Sequence, residues 1–328
     1  MVKILEENLS QIEGHAAAKS LLSKLLNQGT SPVFLLVGPP HVGKGFLARA
    51  LAASIHGIAY TGKPHIDTLI FDELLSAHSE EGEKKWKRSV DALIHFVHLS
   101  PAASRHKVII IDDIDRLSHA AANALLKTLE EPPGDVRILL TAQDIDSVLP
   151  TIRSRAQLVR LNYLTDDEMR RYIAQGGRGV PEAQEIMVLA NGAVGKAKQL
   201  LGDKDLLKRQ RSYLETFENL LRGRVIAGLK TAELREREAA EEMVEVWINL
   251  ARRLWLATTS GQDSPVVSAW ASLVEPPELL VLIKRLEEVL ESLRGGANVR
   301  IALESLVIGW SWGAKVPPRG YNQSPNRV

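Results

Sequence analysis

Along the first half of the chain, short unbroken apolar runs alternate with stretches of helical spacing. Residues 33–37 (VFLLV) are a run that ends at Gly38-Pro39-Pro40, the pattern of a buried strand closed by a turn. An Ala- and Leu-rich stretch from about Lys44 to Ile55 predicts a helix directly after it. Residues 108–111 (VIII) predict a second buried strand, closed by Asp112 and Asp113. A helix capped by Ser118 is expected next, with Ala122, Leu125, Leu126 and Leu129 at helical spacing and a stop before Pro132 and Pro133. Residues 136–141 (VRILLT) predict a third strand. Strands alternating with helices imply an α/β sheet that is mostly parallel.

The second half reads differently. Two or three short helices are expected between about 166 and 205, interrupted by Gly-rich segments at 176–179 and 192–195. From about 206 onward no strand pattern occurs, and 206–222, 232–259, 276–294 and 297–312 are long and helix-compatible. Val244, Trp247, Ala251, Leu254 and Thr258 mark one helical face, so Trp247 and Trp255 are expected in a core rather than as base-stacking platforms. The end, VPPRGYNQSPNRV, is rich in Pro, Asn and Gly and is expected to be disordered. No internal repeat is visible.

Composition narrows the classes. A length of 328 residues allows two or three domains, and 45% apolar with 25% charged residues is ordinary for a globular protein with a real core. Lys plus Arg number 41 against 40 Asp plus Glu, a formal charge of +1, which excludes holding nucleic acid by bulk electrostatics alone. The cluster Lys84, Lys85, Lys87 and Arg88 reads as a solvated helix face, with backbone-phosphate contact as its alternative. No apolar run is long enough to span a membrane, and the opening residues, with Glu6, Glu7 and Glu13, lack the apolar core of a secretory signal. Cysteine is absent, so disulfides, cysteine-ligated zinc and thiol catalysis are excluded and a cytoplasmic location is expected.

Three segments carry chemistry. Gly38-Pro39-Pro40-His41-Val42-Gly43-Lys44-Gly45 nearly matches the phosphate loop GxxxxGK[ST]. Such a loop needs a strand, a turn whose N–H groups point at phosphates, and a helix N-terminus behind a Lys, all of which the context supplies. Position 45 departs: Gly has no hydroxyl to ligate Mg²⁺, so a phosphate cradle with impaired hydrolysis is expected; the alternative is a Gly-rich turn with no ligand. In VIIIDDID, Asp112 would hold Mg²⁺ through water, and Asp113 takes the place of a water-activating Glu with one methylene less reach. The alternative for this pair is an acidic cap or a solvated turn. The third segment, Leu149-Pro150-Thr151-Ile152-Arg153-Ser154-Arg155-Ala156-Gln157, is a polar loop whose Arg155 would by itself be a solvated surface residue.

VFLLVGPPHVGKG, HKVIIIDDIDRLSHAAANALLKTLEEPP and RILLTAQDIDSVLPTIRSRAQ together resemble the bacterial DNA polymerase III clamp-loader subunits of the AAA+ superfamily. WKRSVDALIHFVHLSP (86–101) resembles the helix before the family's acidic strand, and NVRIALESLVI (298–308) its last collar helix. LPTIRSRAQ looks more like the delta-prime subunit than the gamma/tau motor. The resemblance implies an α/β P-loop (AAA+) domain over residues 1–163, a small helical lid over 164–205, an all-α collar over 206–314 and a tail over 315–328. It also implies that Arg155, in a Ser-Arg-Ala triplet where the family has Ser-Arg-Cys, is an arginine finger inserted in trans into a neighbour's ATP site. Thr141 or Gln143 falls at the first sensor. Lys196, in Gly192-Ala193-Val194-Gly195-Lys196, falls in the second-sensor segment without the family's Arg. The family's four-cysteine zinc module is missing from HGIAYTGKPH (56–65), and His56 and His65 alone cannot rebuild it, so no metal site and no zinc are expected.

The function these expectations describe is a delta-prime-like accessory subunit of the polymerase holoenzyme. It would have a degenerate nucleotide site (Gly38, Pro39, Gly43, Lys44, Gly45, Asp112, Asp113, Thr141, Lys196), ATP or ADP with Mg²⁺ only alongside nucleotide, and no ATPase activity of its own. Its partners would be gamma/tau and delta subunits in a hetero-pentamer, a sliding clamp and, through the complex, primer-template DNA; no membrane is involved. The alternatives are a gamma/tau-like ATP-hydrolysing motor and, ranked last, an AAA+ branched-DNA helicase.

Overall fold

The computed structural model describes residues 2–28, 32–71, 92–116, 125, 128, 132, 135–176, 179–222, 236–260 and 265–313. These fall into two compact units, one drawn from Met1–Tyr172 with Gly192–Lys196, the other from Ile173–Asn191 with Ala197–Val328. The helix expected from Ser118 is described only at Leu125 and Thr128, both helical. The basic cluster at 84–88 and the tail at 315–328 lie outside the described residues.

The first unit is built on strands β1 (Val33–Val37), β2 (Thr68–Phe71), β3 (Lys107–Ile111), β4 (Val136–Ala142) and β5 (Gln157–Arg160). They form one five-stranded sheet in the order β2-β3-β4-β1-β5, and every pairing is parallel. β1 and β3 are buried at every position, which is why each reads as an unbroken apolar run: both faces of a parallel sheet are covered. The strand periodicity then divides their side chains between two cores. Val33, Leu35, Val37, Ile109 and Ile111 pack with Leu93 and Val97 of a helical segment at 92–98. Phe34, Leu36, Val108 and Ile110 pack with Leu5, Leu22, Leu47 and Leu51, which belong to α1 (Val2–Ser10), α2 (Ala16–Gln28) and α3 (Lys44–Ile55). A single turn, α4 (Pro150–Arg153), precedes β5, and α5 (Asp166–Gln175) follows it.

The remaining helices are α6 (Val180–Ala190), α7 (Val194–Gly202), α8 (Lys204–Leu221), α9 (Arg237–Ser260), α10 (Pro265–Ala271), α11 (Pro276–Arg294) and α12 (Val299–Gly313). Their ends are fixed by ordinary capping chemistry. The Asp203 carboxylate accepts from the Asp205 and Leu206 amides at the start of α8, and Glu278 accepts from the Glu275 amide ahead of α11. Of the face expected on α9, Val244, Trp247, Ala251 and Leu254 are almost fully covered, whereas Trp255 and Thr258 are only half-buried. Trp247 Nε1–H donates to the Tyr213 carbonyl at 2.9 Å, so the indole is satisfied inside the helical core. Trp310 does the same with the Leu220 carbonyl at 3.0 Å.

Candidate functional site

β1 delivers its last residue, Val37, to a tight loop that ends where α3 begins at Lys44. The turn into the helix requires Gly43, whose φ of 100° is left-handed. Lys44 is buried; its ammonium donates to the Gly38 carbonyl at 2.7 Å and the Pro39 carbonyl at 2.9 Å, so it folds back under the loop. Burial pulls its pKa down, against the pull of Asp113, Asp115 and Asp112. The loop is also held from outside: His15 Nε2 lies 3.0 Å from the Val42 carbonyl, and the Gly195 amide donates to the His41 carbonyl at 2.7 Å. Lys196 is thereby carried next to the loop's outer turn, in the first turn of α7.

The carboxyl end of β3 faces this loop. Asp112 Oδ1 accepts from the Thr141 hydroxyl at 3.1 Å, and the same hydroxyl accepts from the Asp113 amide at 2.9 Å. Thr141 is buried on β4, and Asp113 sits at a left-handed φ of 49°. Gln143 reaches Asp113 Oδ2 at 3.5 Å, so both candidates for the first sensor touch the acidic pair. Gly38, Pro39, Gly43, Lys44, Gly45, Asp112, Asp113 and Thr141 are therefore gathered at the carboxyl ends of β1, β3 and β4, where parallel sheets bind ligands.

Two further residues belong to this site that the motifs do not point to. Arg49, one turn along α3 from Gly45, places Nη2 3.2 Å from Asp112 Oδ2 and donates from Nη1 to the Gly45 carbonyl at 3.0 Å. No spacing in the sequence signals it, since a glycine has no side chain with which a basic residue at i+4 could pair. Asp115, the third carboxylate of DDID, accepts from the Gln143 and Asp144 amides at 2.8 and 3.0 Å and so pins the turn after β4. Magnesium in a phosphate loop is held through a loop Ser/Thr hydroxyl and a strand-end Asp. Here position 45 has no hydroxyl and Asp112 is ion-paired with Arg49, so these side chains do not fit the metal.

Arg155 lies elsewhere. It is exposed on the turn between α4 and β5, its guanidinium donating to the Thr151 carbonyl at 3.0 Å and the Ser154 hydroxyl at 3.4 Å. β5 runs parallel to β1 with Phe34 opposite Gln157 and Val37 opposite Arg160. Arg155 thus precedes the amino end of β5, whereas the phosphate loop leaves the carboxyl end of β1. At about 3.3 Å per residue the two are separated by roughly the length of the sheet. His56 and His65, in the stretch that lacks the zinc module, stack with ring centroids 4.2 Å apart. His56 is engaged at both nitrogens, by the Ser104 and Thr68 hydroxyls at 2.8 Å each.

Residues 14–165 match the family described as DNA polymerase III, delta subunit. The DNA polymerase III subunit gamma of Buchnera aphidicola subsp. Schizaphis graminum is 30% identical over 201 residues, 57% of this chain and 55% of the relative. The tau subunit of Escherichia coli K12 is 31% identical over 184 residues, 52% of this chain and 28% of the relative. The Replication factor C small subunit of Natronomonas pharaonis is 25% identical over 314 residues, 93% of this chain and 92% of the relative. The chain therefore spans about half the length of the first gamma-type relatives it matches. A solved DNA polymerase III gamma subunit-related protein from Thermotoga maritima shares the fold, with a TM-score of 0.51 at 17% identity over 90% of this chain and 98% of that one.

Proposed function

We propose that the chain is one of the clamp-loader subunits of the AAA+ superfamily and, within them, an accessory subunit of the DNA polymerase III loader. In this reading it offers Arg155 to the ATP bound by a neighbouring gamma/tau-type subunit, and the loader it completes places a sliding clamp on primed DNA. The domain division that goes with it is a P-loop domain over 1–163, a lid over 164–205 and a collar over 206–314. What supports the trans role is the position of Arg155: exposed, at the amino end of β5, a sheet's length from the phosphate loop of its own chain. An arginine there has no path to its own chain's phosphates. The same position suits a guanidinium offered across a subunit boundary, where such fingers are worth about 10³–10⁵ in rate. What supports an accessory rather than motor role is Gly45, together with the ion pair that engages Asp112.

The gamma and tau names of the relatives at about 30% identity favour the second reading, a motor subunit hydrolysing its own ATP. One experiment separates the two. The purified chain is assayed for ATP turnover alone and then mixed with a gamma/tau subunit, a delta subunit, clamp and primed DNA. The accessory reading expects no turnover alone and hydrolysis on mixing, with Arg155→Ala lowering the latter about 10³-fold while assembly by gel filtration is unchanged. Lys44→Ala should scarcely alter loading. Steady turnover by the isolated chain, abolished by Lys44→Ala, would establish the motor instead.

A further inference from the structure

We propose that Arg49 stands in for the divalent cation of the phosphate site, so that this loop takes a nucleoside di- or triphosphate without magnesium. The inference rests on reading residues 38–45 as a phosphate loop, and it identifies the form of ligand that loop accepts. Three observations carry it. First, a Cβ added at Gly45 would lie 2.7 Å from Arg49 Nη1, so the guanidinium fills the space a Ser or Thr hydroxyl would use to reach a metal. Second, the same hypothetical Cβ lies 3.4 and 3.5 Å from the two Asp112 oxygens, so position 45, the strand-end carboxylate and the guanidinium are mutual neighbours in the corner where the metal would sit. Third, Arg49 is ion-paired with Asp112 Oδ2 at 3.2 Å, and Asp112 Oδ1 accepts from Thr141, so both carboxylate oxygens are engaged within the chain.

The electrostatics follow from this placement. A P-loop metal supplies positive charge beside the β-phosphate, between the first turn of the helix and the acidic strand end. Arg49 supplies a positive charge there, on a planar fork suited to phosphate oxygens. Its Nη1–H bond to the Gly45 carbonyl ties that charge to the first turn of α3, beside the Lys44 ammonium and the loop amides. A guanidinium cannot, however, reproduce the octahedral oxygen shell through which magnesium holds the β- and γ-phosphates in line for transfer. Binding therefore persists while turnover is disfavoured, and the nucleotide acts as a resident ligand of the loop.

The test is direct binding of ADP and ATP to the full chain by isothermal titration calorimetry, in excess EDTA and in excess magnesium chloride. The expected result is an affinity that is unchanged within about twofold between the two conditions. Lys44→Ala should abolish binding in both. Arg49→Met should weaken binding about tenfold in EDTA, with part of the loss recovered on adding magnesium, and Gly45→Thr combined with Arg49→Ala should make binding magnesium-dependent. A wild-type affinity that rises about tenfold with magnesium, or an Arg49→Met chain that binds as wild type in EDTA, overturns the metal-replacement role while leaving the phosphate loop standing. Absence of nucleotide binding in both conditions overturns the phosphate-loop reading and this inference with it, and leaves the trans role of Arg155 to its own test. Should Arg49→Met lose the native circular-dichroism spectrum, the wild-type comparison between EDTA and magnesium decides.

Discussion

At the scale of single residues, His56 shows how burial turns an imidazole into a pH-dependent stability term. Burial first, and then the neighbouring His65 ring, push its pKa down to about 4, against a smaller opposing pull from Asp67. An unfolded chain's imidazole titrates near 6.5. Between those values the unfolded state binds the proton and the folded state refuses it, so stability is complete above about 6.5 and declines as pH falls toward 4. His15 and His106 are lowered mainly by burial and act in the same direction. The wild-type melting temperature should therefore drop on acidification from about pH 7 to about pH 5, and His56→Gln should flatten that slope. Parallel slopes for the two proteins would show that His56 is not the group responsible. Asp67 is the anionic counterpart. Burial would raise its pKa, but the amides of Ala102, Ala103 and Ser104 and then His65 outweigh that and hold the carboxyl below its usual range. Asp67→Ala leaves three amides without their acceptor and should cost about 3 kcal/mol, read as a lower urea midpoint. Of the site residues, Lys44 and Asp112 were legible because strand ends and a loop pattern fix where they sit. Arg49 and Asp115 were not, because their roles come from side-chain geometry, an ion pair to one carboxylate and two amides capped by the other, that no spacing encodes.

At the scale of elements, legibility followed burial. β1, β3 and β4 announced themselves because interior strands of a parallel sheet are apolar on both faces. β2 and β5 are the two edge strands, each four residues long, and their burial is partial, so TLIF and QLVR carry no run long enough to read. In the second unit the long helices were legible from their spacing and the short α10 was not, seven residues giving less than two turns of pattern. The clearest consequence concerns α9. Trp247 is wholly covered, its ring lies 6.3 Å from that of Phe217, and its N–H is the donor for the Tyr213 carbonyl. Trp247→Ala should cost about 3–5 kcal/mol through the cavity and the lost donor, and Trp247→Phe less. Loss of helical circular dichroism at lower urea in the alanine variant is the expected reading; an unchanged midpoint would mean that α9 is not packed as described.

At the scale of the whole molecule, the distribution of charge limits what the chain can do alone. The formal charge is +1 over 328 residues, so no net field draws a polyanion toward it. Among the described residues of the helical unit, six arginines stand beside carboxylates. Arg209 lies against Glu242, Arg211 against Glu185, Arg222 against Glu218, Arg252 against Glu287, Arg294 against Glu245 and Arg300 against Glu304. Exposed pairs of this kind add little stability, but each leaves its guanidinium beside a carboxylate that repels phosphate. No helix among the described residues is long and apolar enough to cross a membrane. Sequence-independent DNA affinity depends on counterions released by unopposed cations, and typical non-specific binders reach about 10⁻⁴–10⁻⁶ M at physiological salt. The isolated chain should bind a fluorescein-labelled primer-template more weakly than about 10⁻⁴ M in fluorescence anisotropy at physiological salt, with a shallow dependence on salt. Micromolar affinity with a steep salt slope would mean that an unopposed basic surface exists on this chain. Under the proposed function, weak binding alone should be followed by tight binding once gamma/tau and delta subunits are added, since the phosphate contacts are then summed over several chains.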